Sequence, residues 1–181
     1  MDAPLFDPGG FYEFDLARGQ VRTGEGQRML VLSSQAAAPI ISAAVASGDL
    51  TSMRQFGREL AAQVLESLGM EASELNPEDV LGHATSVLAL CGWGRLKLER
   101  WGDMLLAVLE GLPELDRDNL AAAALLGGLF SSLSRLDVAC VPLAEAGRFV
   151  VVDPSIAETV WSWSRAGDSA PQVAGKLSTA K

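Results

Sequence analysis

The chain has one histidine, one tyrosine and two cysteines among its 181 residues, and its 23 acidic side chains outnumber 14 basic ones. Each scarcity excludes something. A single imidazole, His83, cannot build a His-rich metal site, and on its own it reads as a surface or satisfied core residue. Cys91 and Cys140 lie far apart with no Cys-x-x-Cys pairing, so both read as small buried apolar groups. A net charge of −9 argues against nucleic acid, whose binding rests on Lys and Arg neutralising phosphates, and against docking on anionic lipid. No apolar run approaches the ~18 residues of a membrane span. The start, "MDAPLFDPGG", lacks the basic and apolar segments of a signal peptide, so a cytoplasmic protein is expected.

What is present is apolar and ordered. Hydrophobic residues make up 49% of the chain, enough for one globular core. Residues 1–10 read as a lead-in, 11–166 as a single domain, and 167–181 as a flexible tail of linker composition. "FYEFDLARGQVRT" alternates like a hairpin turning at Ala17-Arg18-Gly19, and a third strand follows at 28–32. Ser33 or Ser34 can cap a helix to about Ala46, with a bend or start near Pro39. The next helix keeps a 3.6-residue period from Met53 to Leu68, with Gly69 as its stop. Asn76, Pro77 and two acids open a third. Strands are predicted at 95–101 and 104–110, then a helix from about Asp116 to Arg135, a hairpin turning at Glu145-Ala146-Gly147, and a short helix at 155–165. This order predicts an α+β fold, an antiparallel sheet covered by helices.

Chemistry has thin support. "GEGQR" at 24–28 lacks the Lys-Ser/Thr of a phosphate loop and reads as a turn. The acid pairs Asp116/Asp118 and Glu71/Glu74 sit where capping explains them. No catalytic residue, metal ligand or cofactor is assigned.

Three features stand out. Gly127-Gly128 sits inside a helix, where each glycine costs about 1 kcal/mol relative to Ala. Close approach of another backbone, within the subunit or across a dimer, is the offsetting gain. "GWG" at 92–94 sets an indole at a helix-to-strand corner, where Trp93 can pack in the core or line a cavity. Trp161 and Trp163 point about 200° apart on a helix, so one is expected near the surface beside Val160, as an interface anchor.

The ordered segments "GQRMLVLSSQAAAPII", "FGRELAAQVL", "GWGRLKL", "AALLGGLFSSLSRLDVACV" and "GRFVVVD" resemble, over residues 11–153, the 4-vinyl reductase domain. That family shares its fold, the NO signalling/Golgi transport ligand-binding type, with subunits of the TRAPP tethering complex. The resemblance implies a dimeric α+β domain around a hydrophobic cavity. Sensor members carry an effector-pocket tryptophan, and Trp93 falls about there. They also hold a structural zinc through a cysteine-rich closing hairpin. This chain departs from that pattern: it reads Gly147-Arg148-Phe149, and Cys140 has no cysteine partners, so no zinc is expected. No ATPase or DNA-binding segment follows, so the chain is not expected to activate transcription itself.

The expectation is a non-enzymatic regulatory or scaffold domain that binds a hydrophobic small molecule. A ligand-free, tethering-like interaction subunit and an accessory to a reductase or tetrapyrrole pathway are the alternatives. Trp93, Phe56, Phe130 and Cys91 are the pocket candidates. Trp161, Trp163, Gly127 and Gly128 are the interface candidates. A homodimer and a protein partner are expected.

Overall fold

The computed structural model describes residues 8–24, 26–68 and 76–179. A 3-10 turn at Pro8–Gly10 leads into a small antiparallel sheet of β1 (Tyr12–Asp15), β2 (Gln20–Thr23) and β3 (Arg28–Met29). Three helices follow: α1 (Ser34–Ser47), α2 (Thr51–Leu68) and α3 (Pro77–Leu90). The main sheet is built from β4 (Arg95–Trp101), β5 (Met104–Glu110), β6 (Ala139–Pro142) and β7 (Arg148–Val152), with α4 (Leu120–Ser134) between β5 and β6. Its strand order is β4-β5-β7-β6, antiparallel throughout. A 3-10 turn at Pro154–Ile156, then α5 (Ala157–Arg165) and α6 (Ala170–Thr179), complete the chain. The fold is α+β with antiparallel sheets, as the sequence predicts.

Period-two alternation divides the main sheet between two cores. Leu96, Ala107, Leu109, Cys140 and Phe149 face a cluster supplied by α2, α3 and α4. Met104, Leu106, Val141, Val150 and Val152 face the other way, into a cluster with Val160 of α5 and Ala170 and Val173 of α6. A residue-by-residue shift of register would exchange the two sets, so the pairing of Ala107 with Phe149 and Leu106 with Val150 is fixed by burial on both faces. On β4 the polar alternates form ion pairs instead, Lys97 with Glu110 and Glu99 with Arg148.

Several local readings hold and several are corrected. Ser33 caps α1, its hydroxyl accepting from the Ala36 N–H, and Pro39 lies inside the helix without ending it. Asn76 caps α3 through the Glu78 N–H. The third strand is shorter than predicted: its ladder stops at Met29, and Leu30, Val31 and Leu32 run on exposed. The acids before α4 stay outside it, but the Asp116 carboxylate accepts from the Leu120 and Ala121 N–H groups. The expected stop at Gly69 and the pair Glu71/Glu74 lie outside the described residues, as do residues 1–7, Glu25 and residues 180–181.

The linker expected at 167–181 is replaced by α6. At its start the Gln172 side-chain oxygen accepts from both the N–H and the hydroxyl of Ser169, the reach-back half of a capping box. Ala170, Val173, Ala174 and Leu177 then recur at helical spacing and join the second core.

The two glycines of α4 are inside the subunit. A Cβ on Gly128 would lie well under 3.0 Å from the Arg54 carbonyl oxygen of α2, and one on Gly57 of α2 equally close to the Leu125 carbonyl oxygen of α4. Gly127 faces the Arg54 guanidinium. Of the two readings of Gly127-Gly128, the structure selects backbone approach within the chain; neither is on a surface where a second subunit could meet it.

Gly128→Ala and Gly57→Ala must therefore push two backbones apart, and each is expected to cost about 3 kcal/mol or more. Gly82→Ala on α3, where nothing lies within 4 Å of the new Cβ, is expected to be neutral or to stabilise by up to about 1 kcal/mol. Urea unfolding of the three variants checks the contrast.

Candidate functional site

The corner that carries Trp93 is a helix stop with a defined hydrogen-bond pattern. The Gly92 N–H donates to the Ala89 carbonyl at 3.1 Å and the Trp93 N–H to the Leu88 carbonyl at 2.9 Å. Gly92 has φ +80°, and the three facts together are a Schellman cap, with Gly92 at the left-handed position and Trp93 just after it. An apolar residue at Trp93's place packs back on the last helical turn, and Trp93 and Leu88 share one buried cluster. Gly94 (φ +99°) lets β4 leave close beside β5: a Cβ there would sit 2.6 Å from the Glu110 carbonyl oxygen. The glycines thus fix where the indole goes.

That indole, itself buried, lines an open cavity of about 600 Å³. Tyr12 and Phe14 of β1 and Met29 of β3 form one wall, continued by Leu30, Val31 and Leu32. Ala37, Ile40 and Ile41 of α1 and Met53 and Phe56 of α2 form the opposite side. Leu90, Cys91, Gly92 and Trp93, with Pro113 and Leu115, complete it. The Phe56 and Trp93 rings meet at 6.1 Å and 56°, within the range of favourable aromatic pairs. Among these lining residues there is no Lys, Arg, Asp, Glu or His.

Polar side-chain atoms are few. The Tyr12 hydroxyl donates to the Leu90 carbonyl at 3.5 Å and lies 3.6 Å from the Cys91 sulfur. Burial pushes the Tyr12 hydroxyl well above its usual range, and the Cys91 contact adds to this. Burial also raises the Cys91 thiol, against a smaller opposing effect of the Tyr12 hydrogen bond. Both groups stay protonated and uncharged at neutral pH. Ser34 at the start of α1 supplies the remaining lining hydroxyl.

Of the predicted pocket residues, Trp93, Phe56 and Cys91 come together here. Phe130 does not; it is half-buried on α4, packed against the first core and absent from this lining. The sequence reading missed Tyr12, Phe14 and Met53, although the aromatic alternation of "FYEF" was the available signal. The proposed surface indole is also corrected. Trp161 and Trp163 are both half-buried against the second core, and Lys176 of α6 lies over Trp163, 5.3 Å from the ring centroid. The helix that replaced the expected tail covers it. His83 is buried, with its Nδ1 2.9 Å from the Ser67 hydroxyl, a core histidine. Among the described residues no three His, Cys, Asp or Glu side chains gather where they could hold a metal ion, and no helix is long and apolar enough to cross a membrane.

No family model matches the chain, and no curated protein does. Among solved structures it is similar to the phenol-responsive sensory domain of the transcription activator PoxR, crystallised with phenol. The TM-score is 0.54 at 14% identity, covering 78% of this chain and 83% of that one. The likeness is one of fold.

The two thiols give a direct check of this geometry. Burial also lifts the Cys140 thiol, with Arg54 opposing weakly. A thiol whose pKa is raised by folding contributes its full stability below the ordinary value of 9.0 and loses it as pH rises toward the folded value. Native protein at about pH 8 is therefore expected to react with a disulfide reagent far more slowly than unfolded chain, Cys91 before the deeper Cys140. The melting temperature should fall above about pH 9, and fall less in Cys140→Ala.

Proposed function

We propose that the chain is a non-enzymatic regulatory or scaffold domain of 4-vinyl reductase type that holds a hydrophobic small molecule in the cavity beside Trp93. The observation that carries this is the lining itself: about 600 Å³ is in the size range of pockets that bury drug-sized ligands, and its walls are apolar and aromatic. The neighbour's description as a phenol-responsive sensory domain bound to phenol supports a ligand-binding use of the same fold. The absence of a charged or basic side chain from the lining, with Tyr12 and Cys91 held protonated, favours binding over catalysis. The protein works in the cytoplasm in this reading, and its output passes to a protein partner.

A second reading concerns the rim. Phe14, Leu30, Val31, Leu32 and Ile40 are each at least half exposed, a clustered apolar strip of the kind that marks an interaction surface. We infer that a second copy of the chain covers it, so the dimer expected through Trp161 and Trp163 is assigned to this strip instead.

One experiment addresses both. N-phenyl-1-naphthylamine, a neutral dye, should bind saturably and quench tryptophan emission. The quenching should weaken several-fold in Trp93→Phe and in Phe56→Ala, and persist in Trp161→Phe and Trp163→Phe. An unchanged response in Trp93→Phe removes the cavity from the account. Light scattering on the same samples should give a dimer mass that Val31→Glu reduces to a monomer; a monomer at the outset removes the rim interface and leaves the cavity claim standing.

A further inference from the structure

The lining says more about its occupant than that it is hydrophobic, and the selectivity inferred from it rests on the proposed ligand-binding function. A volume of about 600 Å³ equals the share of roughly twenty waters in the liquid, so one aromatic ring would leave most of the cavity wet. The walls offer Phe56, Trp93, Met53 and Ile41 to an extended apolar body. Of the two lining hydroxyls, Ser34 belongs to an exposed residue and the half-buried Tyr12 supplies the adaptable one. The Tyr12 O–H lies 3.5 Å from the Leu90 carbonyl oxygen, well beyond the ~2.7–2.8 Å of a full O–H···O bond, and its other contact, at 3.6 Å, is the Cys91 sulfur, a weak hydrogen-bonding group. It can exchange these for a ligand oxygen at little cost.

Charge is what the cavity cannot accept. An ionised head drawn in beside Tyr12 would lose its hydration with no counter-charge among the lining residues. The net charge of −9 further disfavours an anion at long range. At the start of α1 the Ser33 hydroxyl accepts from the Ala36 N–H, and what the helix end still offers an anion is a partial charge, not a counter-ion. A cation can sit over a single ring face, but a quaternary ammonium head is held well only by rings arranged as a cage, and no lining carboxylate is there to pair it. The aromatic side chains instead form two separate pairs, Tyr12 with Phe14 and Phe56 with Trp93.

We infer that the cavity selects an uncharged, one-headed amphiphile larger than a single ring, its apolar body against Phe56 and Trp93 and one hydroxyl or carbonyl oxygen at Tyr12. Fatty acids, alkylammonium ions and simple phenols are discriminated against, the first two by charge and the last by size.

Three probes with one chain and different heads test this on the full chain at about pH 8: 1-decanol below its solubility limit, and decanoate and decyltrimethylammonium below their micelle concentrations, displacing bound N-phenyl-1-naphthylamine. Decanol is expected to displace the dye at about tenfold lower concentration than either ion, and phenol to need more than decanol. Tyr12→Phe, which removes one oxygen, should raise the decanol requirement several-fold more than it changes the dye's own affinity, measured by direct titration. If either ion or phenol matches decanol while Trp93→Phe still weakens the quenching by the dye several-fold, the selectivity is refuted and the cavity stands. A bound dye that decanol cannot displace has the same meaning. A decanol requirement unmoved by Tyr12→Phe overturns the assignment of the head. No dye binding at all refutes this inference and the proposed function together.

Discussion

Two backbones pressed together hold the molecule in shape. α2 and α4 touch where Gly57 meets the Leu125 carbonyl and Gly128 meets the Arg54 carbonyl, with no room for a Cβ at either point. Arg54 then reaches past α4, its guanidinium donating to the Ser131 hydroxyl, the Asp137 carboxylate and the Val138 carbonyl just before β6. One side chain thus ties α2 to the end of α4 and to the sheet. The offsetting gain for three helix-interior glycines is this close seam, which lets Leu60, Val64, Leu125 and Leu129 bury completely.

The seam has a consequence on the neighbouring face of α2. With α2 held tight against α4, Met53 and Phe56 are fixed on the side that faces the small N-terminal sheet. That sheet does not close down on them. Its third strand pairs for only two residues and then runs on exposed past α1. The gap between a rigid helical layer and a lightly paired three-stranded sheet is the cavity. Trp93 reaches it because the Schellman cap turns the chain there, so the position of the indole is set by backbone hydrogen bonds before any side-chain packing.

Much of this was legible in the sequence, for identifiable reasons. The strands at 95–101 and 104–110 and the helix starting at Pro77 carried strong local signals, alternation in the first case and Asn-Pro-acid capping in the second. The glycine pair at 127–128 marked a close approach because its cost demands one. What failed did so by letting composition outweigh pattern. The segment after Gly167 looked like a linker, yet Gln172 reaches back to the Ser169 N–H and Ala170, Val173 and Leu177 keep a helical period. That helix covers Trp163, so the surface indole inferred from spacing disappears. Gly57, the partner of the pair at 127–128, gave no sign, because a lone glycine in an amphipathic helix does not say what approaches it. The site was half visible: Trp93, Phe56 and Cys91 were reachable from the corner motif and the resemblance, whereas Tyr12 and Phe14 come from a hairpin whose place over α2 is a tertiary fact.

The central claim is that a hydrophobic ligand enters between this rigid helical layer and the N-terminal sheet. Hydrogen exchange read amide by amide, with and without N-phenyl-1-naphthylamine, tests it most directly. The account predicts that the free protein exchanges slowest along α2 and α4 and much faster in β1 to β3. It also predicts that the dye slows exchange in β1, β3 and residues 90–94 while leaving α5 and α6 unchanged. Protection appearing over α5 and α6, or no change anywhere despite bound dye, would contradict it.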